Sequence, residues 1–354
     1  MVILHIASIG NSKFNGVHIV VPQHIQAQQK IENVAILNLK NSFVDGVEKQ
    51  FEYKKPFDIS ELPVPFCNPD LAVFHEIYKF DFVAISKQLR ETRIPYIIVP
   101  HGCLTKRAQR IKWLKKFVAN MLFFDTFIRG AEAIQFVSVQ EKETSRFREK
   151  GFVATNGTDL PKVMRREILP DRIQLVYIGR TDVEVKGLDL MLQAVKKTAD
   201  VLRVNYATLD IYGPNLHGSH KMLLNMCRKM NIEDLVTIHD KVFGDEKTEI
   251  LHHTDIFIQT SRTEGMPMGI FEALSYGIPC LVTEGTATVQ TIQEYDAGWT
   301  AQNNAESIAQ AIFQAIDQRN DWSTKGSNAI RLVADNYAWD KIAEDTISKY
   351  CKLI

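Results

Sequence analysis

The sequence predicts an α/β protein built from two doubly wound parallel sheets, and three observations predict it. Short apolar runs that fit buried parallel strands alternate with segments of helical apolar spacing along the whole chain. The loops that follow these runs repeatedly carry glycine, as at Asn15-Gly16, His101-Gly102, Gly179-Arg180 and Glu264-Gly265, where a strand hands over to a helix. Finally, 354 residues are long for one core and comfortable for two.

The bulk numbers narrow the function classes. The 42 basic and 42 acidic residues cancel, so no global field argues for nucleic acid. Cysteines 67, 103, 227, 280 and 351 are scattered and lack metal-ligand spacing, which argues against zinc and for a reducing, cytoplasmic location. The first residues, Met1 to Ala7, enter a strand without a basic leader region, so no signal peptide is expected. No apolar run is long enough to cross a bilayer.

Taken in order, residues 2–7 read as the first strand. A polar loop ending at Asn15-Gly16 leads into an apolar-periodic segment, Val17 to Gln29, that contains Pro22. That loop suits either phosphate approach or a plain connecting turn. Strand-like runs follow at 34–39, 72–75 and 96–99, with a helix over 80–92. His101 comes directly after a strand, at its carboxyl end, where sites of α/β folds lie; His75 ends a strand too. Residues 105–124 hold six basic residues and no acid, and Trp113 and Phe117 share a helix face. Two readings stay open: an amphipathic helix with a solvated basic side, or an interfacial helix meeting anionic lipid. Residues 133–137 read as a strand, and Ser138-Val-Gln-Glu141 has the spacing of a capping box. A strand over 152–155 ends in Asn156-Gly157, and the loop to about Asp171 reads as a linker.

A second series starts with a strand at 175–179, then Arg180 in a loop, then a helix from Lys186-Gly-Leu-Asp189. Two cations beyond a strand end suit a diphosphate, the Arg by its fork and the Lys as a point charge. Asp182 and Glu184 in the same loop are competing partners. Strands follow at 210–212, 236–239, 256–258, 280–282 and 298–300, with helices at 305–318 and 339–350. Between the third and fourth of these strands lies Glu264-Gly-Met-Pro-Met-Gly-Ile-Phe-Glu272, whose helix should end with Gly277 in a left-handed cap before Pro279. Two carboxylates here suit a polyhydroxyl ligand; taken singly, Glu264 also fits a cap and Glu272 a solvated face.

The whole string closely resembles the Glu-x7-Glu signature of the family-4 retaining glycosyltransferases, which have the GT-B fold. Gly179-Arg180-Thr-Asp-Val-Glu-Val-Lys186-Gly187 is similar to that family's second signature, and Asp210-Ile-Tyr-Gly-Pro214 to its next strand and turn. In the first half the resemblance rests on architecture, His101-Gly102 and Asn156-Gly157.

The resemblance implies two facing Rossmann-like domains with an interdomain cleft: an acceptor-binding domain over 1–165, a sugar-nucleotide domain over 166–335, and a helix over 336–354 crossing back. It implies retaining transfer from a nucleoside-diphosphate sugar to a glycan or lipid-linked acceptor in bacterial surface polysaccharide synthesis. Arg180 and Lys186 would take the phosphates, and Glu272 the ribose. Glu264 with the amides of Gly265, Met266, Pro267 and Met268 would face the sugar, Pro267 having no amide hydrogen to give. Gly16 and Gly179 would line the donor site, Val242 would lie by the base, and His101 would touch sugar or acceptor. No cofactor or metal is implied, since the cations serve the phosphates and no Asp-x-Asp pair occurs. Rival readings are an epimerase of the same fold and a non-catalytic partner subunit of another transferase.

Overall fold

The computed structural model describes residues 1–10, 16–110, 113–161 and 172–354. The chain forms two compact units, residues 1–157 with 339–354, and residues 158–338. Much of the expected linker, residues 162–171, and Asn15 of the first loop lie outside the described residues.

The first unit is a seven-stranded sheet. Its strands are β1 (Val2–Ala7), β2 (Asn33–Asn38), β3 (Gln50–Glu52), β4 (Leu71–His75), β5 (Tyr96–Val99), β6 (Ala133–Phe136) and β7 (Gly151–Val153). Every pairing is parallel, in the order β3-β2-β1-β4-β5-β6-β7. Apolar side chains run almost unbroken along β1, β2, β4, β5 and β6 because helices cover both faces. Helix α1 (Gly16–Gln28) keeps Pro22 in its interior, and α2 (Phe80–Glu91) buries Phe82, Ile85 and Leu89.

Over 105–124, expected as one helix, the described residues from Lys106 on are helical. They comprise α3 (Lys106–Arg110), α4 (Trp113–Ala119) and a π-turn over Asn120–Phe124 that runs into α5 (Asp125–Gly130). Ile111, Lys112 and the Arg107 side chain lie outside the described residues. The extra residue of a π-turn rotates the apolar face, so Phe124 and Phe127 turn inward while Trp113, Leu114 and Phe117 stay exposed.

Next comes α6 (Val139–Thr144). Its Ser138 cap accepts from the Glu141 amide at 3.1 Å, but the Glu141 carboxylate does not close the box. It accepts instead from the amides of Val137 and Gly102.

The second unit is a six-stranded parallel sheet of order β10-β9-β8-β11-β12-β13. The strands are β8 (Ile173–Ile178), β9 (Ala207–Tyr212), β10 (Val236–His239), β11 (Ile256–Gln259), β12 (Cys280–Thr283) and β13 (Gly298–Ala301). Around it lie α7 (Leu188–Lys197), α8 (Ala199–Val204), α9 (Ser219–Met230), α10 (Gly244–His252), α11 (Met268–Ser275), α12 (Val289–Tyr295), α13 (Ala305–Asp317) and α14 (Trp322–Asn336). Leu188, Met191, Leu192 and Val195 of α7 bury one stripe at helical spacing. The order reverses between β8 and β11, which makes their carboxyl ends the switch point of the sheet.

The last helix, α15 (Trp339–Cys351), belongs to the first unit. Gly157 sits against its first residue: a Cβ there would come within 2.5 Å of the Trp339 ring, so only glycine fits.

Candidate functional site

The switch point of the second sheet gathers the charged residues singled out in the sequence. Two loops meet there, 179–187 after β8 and 260–267 after β11, and backbone bonds lace them together. Arg262 donates its amide to the Val185 carbonyl at 2.9 Å, and Thr260 Oγ1 donates to the Gly187 carbonyl at 2.9 Å. Gly187 has φ of +63°, and a Cβ would lie 2.1 Å from the Thr260 carbonyl oxygen. Any side chain would push the loops apart. Arg262 clasps Asp189 with two bonds of 2.7 Å, fixing the second loop to the start of α7.

Held in this way, Lys186 and Glu264 form a buried ion pair, each side chain about 10% exposed. Glu264 Oε1 also accepts from Gln259 Nε2 at 2.8 Å and Ser261 Oγ at 2.5 Å. Three donors on one oxygen leave Oε2 free to accept from a ligand hydroxyl; among the described residues it has no partner. Lys186 is thus paired with Glu264, not with Asp182 or Glu184 of its own loop. Asp182 Oδ1 instead accepts the Val185 amide at 3.2 Å.

Arg180 is exposed, and among the described residues its guanidinium has no ion pair. Its backbone is pinned: Tyr177 donates its hydroxyl to the Arg180 carbonyl at 2.7 Å. Burial, then the nearby Glu264 charge, holds that phenol protonated, well above its ordinary range. Gly179, between them, donates its amide to the Tyr212 carbonyl at 3.0 Å.

Helix α11 begins at Met268, directly after Gly265-Met266-Pro267; the Met268 and Ile270 amides donate to the Met266 and Pro267 carbonyls at 3.1 and 3.0 Å, and the positive end of the helix opens beside the Glu264 loop. Ile270, Phe271, Ala273 and Leu274 face the core, and Gly277 ends the helix with φ of +75°, as expected. Glu272 lies on the half-exposed face and pairs with Lys247 of α10. Val242 is buried in the loop before α10. Nearby, His239 stacks on Tyr212 with ring centroids 4.3 Å apart and bonds Asp210 at 2.7 Å.

Lys247, Gln259 and Ser261 escaped the sequence reading. Ser261 and Gln259 were accessible in principle, as polar residues at the carboxyl end of a buried strand. Lys247 carries no such signal, because only the packing of α10 against α11 brings it to Glu272.

In the first unit, His101 follows β5 in a left-handed conformation, φ +48°, with Gly102 at +86°. A non-glycine residue there is strained, and Glu141 holds the turn by accepting the Gly102 amide. Burial, opposed by its two backbone donors, raises the Glu141 carboxyl above its usual range. His75 is fully buried against His101, with His75 Nδ1 3.0 Å from His101 Nε2. Gly16 begins α1 and is exposed.

The fold is found among solved structures at low sequence identity. A crystal structure of Anabaena HepE in complex with UDP superposes with a TM-score of 0.75, at 14% identity, over 99% of this chain and all of that one. A glycosyltransferase from Rickettsia africae gives 0.74 at 15% identity, over 99% and 98%. The fold is therefore GT-B.

Curated relatives are distant. An uncharacterized glycosyltransferase of Methanocaldococcus jannaschii is 24% identical over 51% of this chain and 45% of its own length. Another, from Haemophilus influenzae, is 22% identical over 75% and 80%. The putative colanic acid biosynthesis glycosyltransferase WcaL of Escherichia coli is 25% identical over 48% and 43%. This chain thus spans under half the length of two of these three relatives. Residues 172–318, which hold Arg180, Lys186, Glu264 and Glu272, match the family described as Glycosyl transferases group 1.

Proposed function

We propose that this protein transfers a sugar from a nucleoside-diphosphate sugar to a glycan or lipid-linked acceptor, with retention at the anomeric carbon and without a metal. The observation that carries the reading is the charge arrangement at the switch point. A buried Lys186–Glu264 pair and Arg180, which has no ion pair among the described residues, lie in the loops after β8 and β11, beside the start of α11. The match of residues 172–318 to group 1 glycosyl transferases and the UDP bound by the Anabaena neighbour support it. WcaL, named for colanic acid biosynthesis, supports polysaccharide assembly as the setting.

In this reading the acceptor hydroxyl attacks the anomeric carbon as its bond to the phosphate oxygen breaks. The nucleoside diphosphate leaves with the electron pair and takes the hydroxyl proton. Negative charge grows on the diphosphate, where Arg180, Lys186 and the positive end of α11 stabilise it. Glu264 Oε2 accepts from a sugar hydroxyl, and Glu272 from the ribose. Gly179 lines the donor site, Val242 lies by the base, and Gly16 opens α1 of the first unit. His101, also in the first unit, accepts from a hydroxyl of the sugar or the acceptor other than the attacking one.

A lipid-linked acceptor draws support from the surface of the first unit. Trp113, Leu114 and Phe117 are each more than half exposed, and Lys106, Arg110 and Lys115 are exposed on the same stretch. Of these, Lys106, Arg110, Trp113 and Phe117 border a groove of about 650 Å³ whose walls also carry Lys116, Arg146 and Arg148. The apolar side of α4 buries none of its residues. Exposed aromatics ringed by cations suit an anionic interface.

The test is a panel of nucleotide sugars, UDP sugars first, read by released nucleoside diphosphate from purified protein, with Arg180→Ala as control. Hydrolysis or transfer of one donor, reduced about a hundredfold in the variant, is the expected result. An epimerised donor with no released diphosphate would instead establish the epimerase. Absence of turnover and of nucleotide binding would leave the partner-subunit reading.

A further inference from the structure

Beneath His101 the first unit holds a continuous chain of buried polar side chains. His5 on β1, His24 and Gln28 on α1, and His75 at the end of β4 are all buried. His75 Nδ1 lies 3.0 Å from His101 Nε2, and His75 Nε2 lies 2.8 Å from His5 Nδ1. His5 Nε2 lies 2.8 Å from Gln28 Oε1, and Gln28 Nε2 lies 3.0 Å from His24 Nε2. An imidazole ring nitrogen donates or accepts according to tautomer, so such a chain has two polarities until something fixes its end.

The far end is fixed by Gln28, whose Nε2 is turned to His24 Nε2 at 3.0 Å and whose Oε1 is turned to His5 Nε2 at 2.8 Å. Gln28 Oε1 therefore faces His5 and can only accept, so His5 carries its hydrogen on Nε2. Its Nδ1 must accept from His75 Nε2–H, and His75 Nδ1 must accept from His101 Nε2–H.

We infer that His5 and His75, oriented through Gln28, are positioning residues that hold His101 in the Nε2–H tautomer and so leave its Nδ1 lone pair to accept from a substrate hydroxyl other than the attacking one. The use of that lone pair rests on the function proposed above; the tautomer does not. Among the described residues His101 makes no other hydrogen bond. Burial keeps the chain uncharged, pushing His5 and His101 down to about 3, with neighbouring histidines adding to the depression. His75 is shifted in the same direction by burial and then by His5, His101 and His24.

The experiment is imidazole nitrogen spectroscopy on the full chain labelled with ¹⁵N-histidine at neutral pH. Protonated and lone-pair nitrogens resonate far apart, and couplings across N–H···N bonds identify donor and acceptor directly. Wild type should give His5, His75 and His101 all as Nε2–H, with couplings across both histidine pairs. Gln28→Met keeps the volume but removes the acceptor of His5, so a substantial Nδ1–H population should appear at His101, three links away. A charged or Nδ1–H His101 in wild type, or an unchanged His101 in folded Gln28→Met, overturns the inference. If that variant does not fold, the wild-type tautomers and couplings decide alone. No step needs turnover, so failure of the donor assay and failure of this inference are separately visible.

Discussion

The Lys186–Glu264 pair gives the sharpest test of the proposed reaction, because a structural and a chemical role predict different arithmetic. Lys186→Met keeps the aliphatic stem and removes the ammonium. Glu264 is then left about 10% exposed, with Gln259 and Ser261 as its donors among the described residues. Breaking one side of a buried pair costs about 3–5 kcal/mol. The two remaining hydrogen bonds put this case at the lower end, about 3 kcal/mol. For a unit of this size that lowers the melting midpoint by about 6–12 °C. Adding Glu264→Gln removes the stranded charge and keeps an oxygen for both donors, so the double variant should recover most of that loss. Turnover should behave differently. If Lys186 stabilises charge on the leaving phosphate, its loss costs about a hundredfold to a thousandfold, whether or not residue 264 is charged. The assay is diphosphate release at saturating donor for wild type, both single variants and the double. A double variant as active as Glu264→Gln alone would refute the phosphate role and leave Lys186 as a partner of Glu264 only.

Glu272→Gln should weaken free nucleoside diphosphate and intact donor alike, whereas Glu264→Gln should spare the former; calorimetry with both ligands checks this, and equal losses in both variants would undo the assignment. Activity should persist in chelator, since Arg180, Lys186 and the α11 terminus supply the positive potential, and a strict need for added magnesium would contradict that. Wild type should sediment with anionic vesicles at low salt, and a Lys106, Arg110 and Lys115 to Gln variant should bind them less, each charge being worth about 1 kcal/mol; indifference to lipid charge would remove the membrane role. Burial pushes His24 down to about 4 and His5 and His101 to about 3, from an ordinary 6.5. The unfolded chain therefore binds more protons below pH 6.5, so the stability these neutral imidazoles confer is full above that pH. It is lost as pH falls towards 4, by up to about 1.4 kcal/mol per histidine per unit. Melting midpoints from pH 7.5 to 4.5 should show this, with a shallower slope in His24→Gln.

What could be read from the chain follows the range of the interactions. Parallel strands buried on both faces leave apolar runs that need no partner to be recognised, so β1, β4, β5, β8 and β11 were legible within a residue or two. The short strand β3 was not: Gln50–Glu52 has no apolar run, and its pairing with β2 comes from the sheet. Likewise Ser138 caps α6 from a local pattern, but the Glu141 carboxylate is claimed by the Gly102 amide, 39 residues away in sequence. The basic stretch was legible only in part for a related reason. Helical spacing was visible in 105–124, while the π-turn that splits its faces depends on how Phe124 and Phe127 seat in the core.

The same distinction separates the candidate residues of the two units. In the second unit, Lys186 and Glu264 lie just beyond the carboxyl ends of neighbouring strands, and any fold that places β8 beside β11 brings them within reach. Motif and topology carry the same information there. In the first unit the single motif residue is His101, and what governs its chemistry is spread over β1, α1 and β4. His5, Gln28 and His75 each look like an isolated polar residue within an apolar segment. Only their alignment in the folded unit turns three separate satisfied groups into one polarity. A residue's identity can thus be legible in sequence while its protonation geometry is a property of the packed core, which is why His101 was found and its tautomer was not.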